Sequence, residues 1–200
     1  MNKIVLITGC SSGIGLATAV VLSKSGYKVY ATLRDLTRKE QLETVENGNL
    51  EILQLDVTDE ASIINAVQNV ISKEGRIDIL INNAGYGLRG TIESVTIDEI
   101  RRQFETNFFG LIRVTQEILP NMRKQKSGHI LNISSVGGIR GNACSDIYCA
   151  TKFAVEAISE SMAPVLSLFG IKVTLIEPGP VSTDFPNRSL KYGTRLGEND

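Results

Sequence analysis

The chain contains no tryptophan, one histidine and three cysteines in 200 residues. A lone His129 argues against a histidine-built metal site and against a Ser–His–Asp hydrolase triad. Cys10, Cys144 and Cys149 fall in no paired spacing, so the simple reading is a reducing compartment, here the cytoplasm. No apolar run approaches the roughly 18 residues of a membrane span. The start, Met1-Asn2-Lys3 followed by Ile4–Ile7, is too short and too soon broken by Gly9 for a signal peptide. Without such a signal, the sequons at Asn132 and Asn187 read as chance matches. An excess of one charge is missing too, and a net charge of -1 gives no argument for nucleic acid or an anionic membrane as partner.

What is present is a 42% hydrophobic, 22% charged composition in a chain long enough for one domain with a full core. Short Val/Ile/Leu runs alternate with amphipathic stretches. Strands are expected at Lys3–Ile7, Lys28–Leu33, Leu50–Leu55, Ile77–Ile81, His129–Ile133 and Ile171–Ile176. Helices are expected at Gly13–Ser25, about Arg38–Glu46, Asp59–Glu74 with Thr58 as N-cap, Ile97–Arg123 and Asp146–Phe169. Strands this apolar are covered on both faces. The pattern therefore predicts an α/β fold, a parallel sheet between helix layers. Gly26 and Gly170 read as C-caps, and Pro164 as a kink or early stop. From Pro178 the chain turns to Pro, Gly, Ser, Thr, Asn and charges, and reads as loop with no further strand.

Thr8-Gly9-Cys10-Ser11-Ser12-Gly13-Ile14-Gly15 lies between the first strand and the first helix. Glycines there permit a tight turn and let the backbone approach a pyrophosphate at the helix N-terminus, where unpaired N–H groups favour anions. The spacing is G-x-x-x-G-x-G rather than G-x-G-x-x-G. Taken alone, it could equally serve a methyltransferase or pack helix against strand; its place after an N-terminal strand favours a dinucleotide. Arg34 follows the second strand and suits the 2′-phosphate of NADP. Asp35, about 20 positions past Gly15, could serve NAD if the register slips. NADP(H) is favoured over NAD(H).

Tyr148 and Lys152 lie four residues apart, on one helical face. The ammonium can stabilise the phenolate and bring Tyr148 below the usual phenol value of about 10. Ser135, thirteen positions upstream, could hold a carbonyl or alcohol oxygen beside that phenol. A surface pair and a strand-end cap are the bland alternatives.

Seven motifs together resemble the short-chain dehydrogenase/reductase family: TGCSSGIG (8–15), LDVTD (55–59), NNAG (82–85), TNFFG (106–110), NISS (132–135), YCATK (148–152) and PGPVST (178–183). They stand in family order. With YATLRDL (30–36), they look most like the branch holding estradiol 17β-dehydrogenase type 1 and the photoreceptor-type retinol dehydrogenases. The resemblance implies a Rossmann-like doubly wound sheet in three αβα layers. It also implies Tyr148 as general acid/base, Lys152 bonding the nicotinamide ribose, Ser135 on the substrate oxygen, and Asn107 helping to hold a water linked to Lys152. Gly9, Ser11, Ser12, Gly13, Ile14 and Gly15 would cradle the cofactor, with Arg34 at its ribose. Asp56 would meet the adenine, and Val57, Asn83, Ala84 and Gly85 would line the cofactor. Pro178, Gly179, Val181 and Thr183 would close over the nicotinamide.

The family pattern continues beyond the length seen here, with substrate-loop helices and a last edge strand. The expectation is thus a fragment of a longer chain: residues 1–185 as the dinucleotide-binding domain with the catalytic residues, 186–200 as part of a substrate loop. An NAD(P)-dependent oxidoreductase acting on a small apolar alcohol or carbonyl, steroid- or retinoid-like, is the expected activity. The alternative is a dinucleotide-binding module without turnover. A homodimer or tetramer is plausible for the full-length form.

Overall fold

A computed structural model describes residues 2–45, 48–181 and 189–195. In chain order the strands are β1 (Ile4–Ile7), β2 (Lys28–Leu33), β3 (Leu50–Gln54), β4 (Ile79–Asn82), β5 (Gly87–Arg89), β6 (Gly128–Ile133), β7 (Ile171–Ile176) and β8 (Leu190–Tyr192). The helices are α1 (Gly13–Lys24), α2 (Glu40–Glu43), α3 (Glu60–Glu74), α4 (Ile97–Phe104), α5 (Gly110–Gln125) and α6 (Asp146–Ser167).

Six parallel strands form one sheet in the order β3-β2-β1-β4-β6-β7. Because side chains alternate along each strand, the sheet feeds two cores. Leu6, Tyr30, Leu80 and Ile130 pack with Val67 and Val70 of α3 and Val114, Ile118 and Met122 of α5. On the opposite face Val5, Ile7, Val29 and Ala31 pack with Ala19 of α1 and Leu42 of α2. This is the expected three-layer, Rossmann-like doubly wound arrangement. The strand order reverses between β1 and β4, which opens a crevice at the carboxyl ends of those parallel strands.

Several local expectations are corrected. The N-cap of α3 is Asp59, whose carboxylate accepts from Ala61 N and Ser62 N. Thr58 is instead engaged by Asp56, which accepts from its backbone N–H at 2.9 Å and its hydroxyl at 2.8 Å. The Arg38–Glu46 stretch is a 3-10 turn over Leu36–Arg38 followed by the single turn of α2; Glu46 lies outside the described residues. The long helix is broken into α4 and α5 by a π turn over Glu105–Phe109. Gly110, which opens α5, lies so close to Val57 that an added Cβ would be 2.7 Å from its Cγ2. Pro164 neither shortens nor ends α6, which runs through it to Ser167; its missing N–H costs one intrahelical bond, to the Glu160 carbonyl. Lys172, Thr174 and Ile176 of β7 are exposed, so this edge strand is covered on one face only among the described residues. The tail does contain a strand: β8 pairs in parallel with β5. Asn132 is fully buried in β6, which rules out its use as a glycosylation site in the folded chain.

Candidate active site

The crevice is a cleft of about 820 Å³. At one end Gly9 takes a left-handed φ of 73°, and its Cα lies where any added Cβ would be 2.8 Å from Ala84 Cα. Gly13 also has positive φ, at 58°. Only glycine adopts these angles without strain. Gly9, Ser11, Ser12, Gly13 and Ile14 line the cleft at the N-terminus of α1. Gly15 does not; it packs behind them, where an added Cβ would collide with Gly9 O and Asn83 Nδ2. Asn83 locks the turn by donating to Thr8 O and Gly9 O, both at 2.9 Å. The turn is thus a bare, anion-favouring cradle of the kind a dinucleotide pyrophosphate needs.

Past β2, Arg34, Asp35 and Arg38 line the same end. Asp35 is turned to local work: its Oδ1 accepts from Thr37 N at 3.0 Å and Thr37 Oγ1 at 2.7 Å. Those bonds, first the hydroxyl's and then the backbone's, hold its carboxyl below the ordinary value, with smaller help from Arg38 and Arg34. Asp56, Val57, Asn83, Ala84 and Gly85 line the middle, and Pro178, Gly179 and Val181 the far side. Thr183 lies outside the described residues.

Ser135, Tyr148 and Lys152 share one wall of the cleft. The Ser135 hydroxyl caps the turn after β6, accepting from Gly137 N at 3.1 Å. Burial pushes the Tyr148 phenol above its ordinary value, while a side-chain bond with Ser135 pulls it back. The sequence expectation of a phenol lowered by ammonium is therefore not met by this chain on its own. Lys152 Nζ is 5.8 Å from the centre of the Tyr148 ring and donates to Ile133 O at 2.7 Å. Lys152 is buried, which drives its amine down to about 8.

Asn107 does not line the cleft; its neighbour Thr106 does. Sitting in the π turn, Asn107 accepts from Tyr86 N at 3.0 Å and donates to Tyr86 O at 2.9 Å and Thr151 Oγ1 at 3.3 Å. Its side chain holds the Gly85–Tyr86 backbone against α6.

Sequence reasoning missed Arg38 and the roof made by β5 and β8. Tyr86, Arg89, Leu190, Lys191 and Tyr192 all reach the cleft. Lys191 Nζ stands 5.0 Å over the Tyr86 ring. Glu99 anchors this roof, accepting from Thr194 Oγ1 at 2.9 Å and from Thr96 N at 2.8 Å. Burial would raise the Glu99 carboxyl, but the bonds from Thr96 and Thr194 outweigh it and hold the carboxyl below its ordinary value. The capping box Thr96–Glu99 was a legible signal; the pairing of β5 with β8 was not.

The family described as short chain dehydrogenase matches residues 3–191. Three curated relatives are retinol dehydrogenase 8 of Homo sapiens, 17-beta-hydroxysteroid dehydrogenase type 1 of Homo sapiens, and 3-ketodihydrosphingosine reductase of Bacteroides thetaiotaomicron. They are 43%, 45% and 44% identical over 195, 198 and 200 residues. These matches take in 94%, 94% and 99% of this chain but only 62%, 60% and 71% of the relatives. Among solved structures, ElxO with NADP bound superposes with a TM-score of 0.87 at 33% identity, covering 92% of this chain and 76% of ElxO. No helix of the described residues is long and apolar enough to cross a membrane.

Proposed function

The chain belongs to the short-chain dehydrogenase family, and we propose that it interconverts an alcohol and a carbonyl on a small apolar substrate, with NADP(H) preferred over NAD(H). The observation that carries this reading is the convergence of Ser135, Tyr148 and Lys152 on one wall of a cleft that ends in the Gly9–Gly13 cradle. Arg34 and Arg38 at the adenosine end, with Asp35 occupied by Thr37, favour a 2′-phosphate over a free 2′-hydroxyl.

When bound, the cofactor supplies or takes the hydride. Ser135 would hold the substrate oxygen and favour its developing negative charge. Tyr148 would give that oxygen a proton in reduction and accept it in oxidation. Lys152, fixed by Ile133 O, would place a positive charge beside the phenol and lower its pKa once a cofactor ribose completes the wall. Asn107 would keep the Gly85–Tyr86 backbone in place against that ribose. The names of the relatives support retinoid-, steroid- or sphingoid-type substrates. The free state of Cys10, Cys144 and Cys149 favours a reducing compartment, in line with the cytoplasm.

The test is NADPH consumption, followed by absorbance, with retinal, a 17-ketosteroid and a long-chain 3-ketone as substrates. Turnover of one or more supports the reading. Binding of NADPH without turnover of any would make the chain a dinucleotide-binding module instead. Absence of binding would remove the cofactor assignment.

A further inference from the structure

Glu156 stands one helical turn beyond Lys152, on the stripe of α6 that already carries Tyr148. Its Oε1 is buried and has no hydrogen-bond partner among the described residues. The same is true of Ser134 Oγ, on the residue preceding Ser135. Both oxygens close on Gly138: a Cβ added there would lie 2.7 Å from Ser134 Oγ and 3.1 Å from Glu156 Oε1. The glycine therefore makes room for a carboxylate beneath the turn that carries Ser135. That turn is held from the other side by β7 and its extension, through Ser134 N to Ile176 O at 2.7 Å and Val136 N to Pro178 O at 3.1 Å.

Glu156 is half-buried overall, but a buried carboxylate oxygen without a partner is costly unless a nearby charge or donor offsets it. The nearby charge is Lys152, which forms no direct ion pair with Glu156 among the described contacts. We propose that Glu156 is a positioning residue for the proton transfer: its carboxylate keeps Lys152 in the ammonium form and, with Ser134, seats the turn that presents Ser135. This rests on the reading that Tyr148 and Lys152 carry the proton.

The surroundings of Lys152 leave few other groups to play this part. β6 offers the Ile133 carbonyl, the chain after β4 offers backbone at Gly85, and the π turn offers the Asn107 amide, which approaches the same glycine. None of these titrates. Among the described residues, the titratable neighbours are on α6: Tyr148, Cys149 beside it, and Glu156. Burial drives Lys152 down to about 8, and the Glu156 charge is what pushes it back up.

The experiment follows Lys152 directly, by NMR of the chain carrying ¹³Cε-labelled lysine, with Lys152→Met to assign the signal. In the wild type the Lys152 resonance should titrate near 8; in Glu156→Gln its midpoint should fall by about 1 pH unit. Glu156→Asp should recover part of that difference. Carbonyl reduction gives the second readout. For Glu156→Gln, kcat should stay within about twofold of wild type at pH 6 and be roughly fivefold lower at pH 8, with KM unmoved. An unmoved Lys152 midpoint in Glu156→Gln overturns the proposal, and so does a kcat lowered equally at every pH. If Lys152 shifts as expected but no substrate turns over, the catalytic reading fails while the Glu156–Lys152 coupling stands.

Discussion

Lys152 Nζ donates to the Ile133 carbonyl at 2.7 Å, so the ammonium of α6 is tied to the end of β6 and not to the phenol one turn before it. The amine, buried and 5.8 Å from the Tyr148 ring centre, is held at a distance from which its charge can act without a direct bond. On the proposed mechanism, catalytic placement and stability pull against each other at this residue.

That conflict gives a pH-dependent prediction. The Lys152 amine sits at about 8 in the fold against an ordinary 10.5. A base whose folded value is depressed destabilises the fold while both states are charged, below about 8. The penalty is relieved as pH rises from about 8 towards 10.5, because the folded chain releases its proton first. Lys152→Met should abolish turnover. Its melting temperature relative to wild type should be highest near pH 7 and should fall as pH rises to 10. Melting curves across that range check the sign; a difference that grows with pH would contradict it.

Gly9→Ala should weaken NADPH binding at least tenfold. It should also lower the melting temperature by about 2–8 °C, since a left-handed non-glycine residue costs about 1–2 kcal/mol. The physical cause is the φ of 73° together with the contact to Ala84 Cα. Reduced-cofactor fluorescence and a thermal melt measure the two effects separately.

The parts of the fold set by period and composition were legible. Lys3–Ile7 and Lys28–Leu33 could be read as buried strands from apolar runs, and Gly13–Ser25 as a helix, which the structure ends at Lys24. The π turn at Glu105–Phe109 could not, because its cause is tertiary: Asn107 reaches across to Tyr86. β8 could not either. Leu190-Lys191-Tyr192 is too short and mixed to announce a strand, and its partner Gly87–Arg89 is 103 positions earlier in register. Tyr148, Lys152 and Ser135, picked out by spacing within an ordered set of motifs, do line one cleft. Asp35 was a candidate reader of the NAD ribose; that its Oδ1 accepts from Thr37 could not be read from the sequence. Tyr148 was expected below its ordinary value, but burial, which no spacing reveals, raises it.

Cofactor choice is testable at Arg34. A charge-assisted bond to phosphate is worth about 1.5–3 kcal/mol, so Arg34→Asp should weaken NADPH binding by about 10- to 100-fold and leave NADH binding within a few fold. Arg38→Gln should show the same direction with a smaller loss. Equal loss for both cofactors in Arg34→Asp would mean that Arg34 supports the cleft without reading the 2′-phosphate.

The central claim is that Tyr148 moves the proton at a site the cofactor reaches without it. Its most direct test is Tyr148→Phe, assayed for NADPH binding by fluorescence and for carbonyl reduction by NADPH consumption. NADPH should bind within a few fold of wild type, and turnover should fall by at least about a hundredfold. Turnover equal to wild type in Tyr148→Phe would contradict the account.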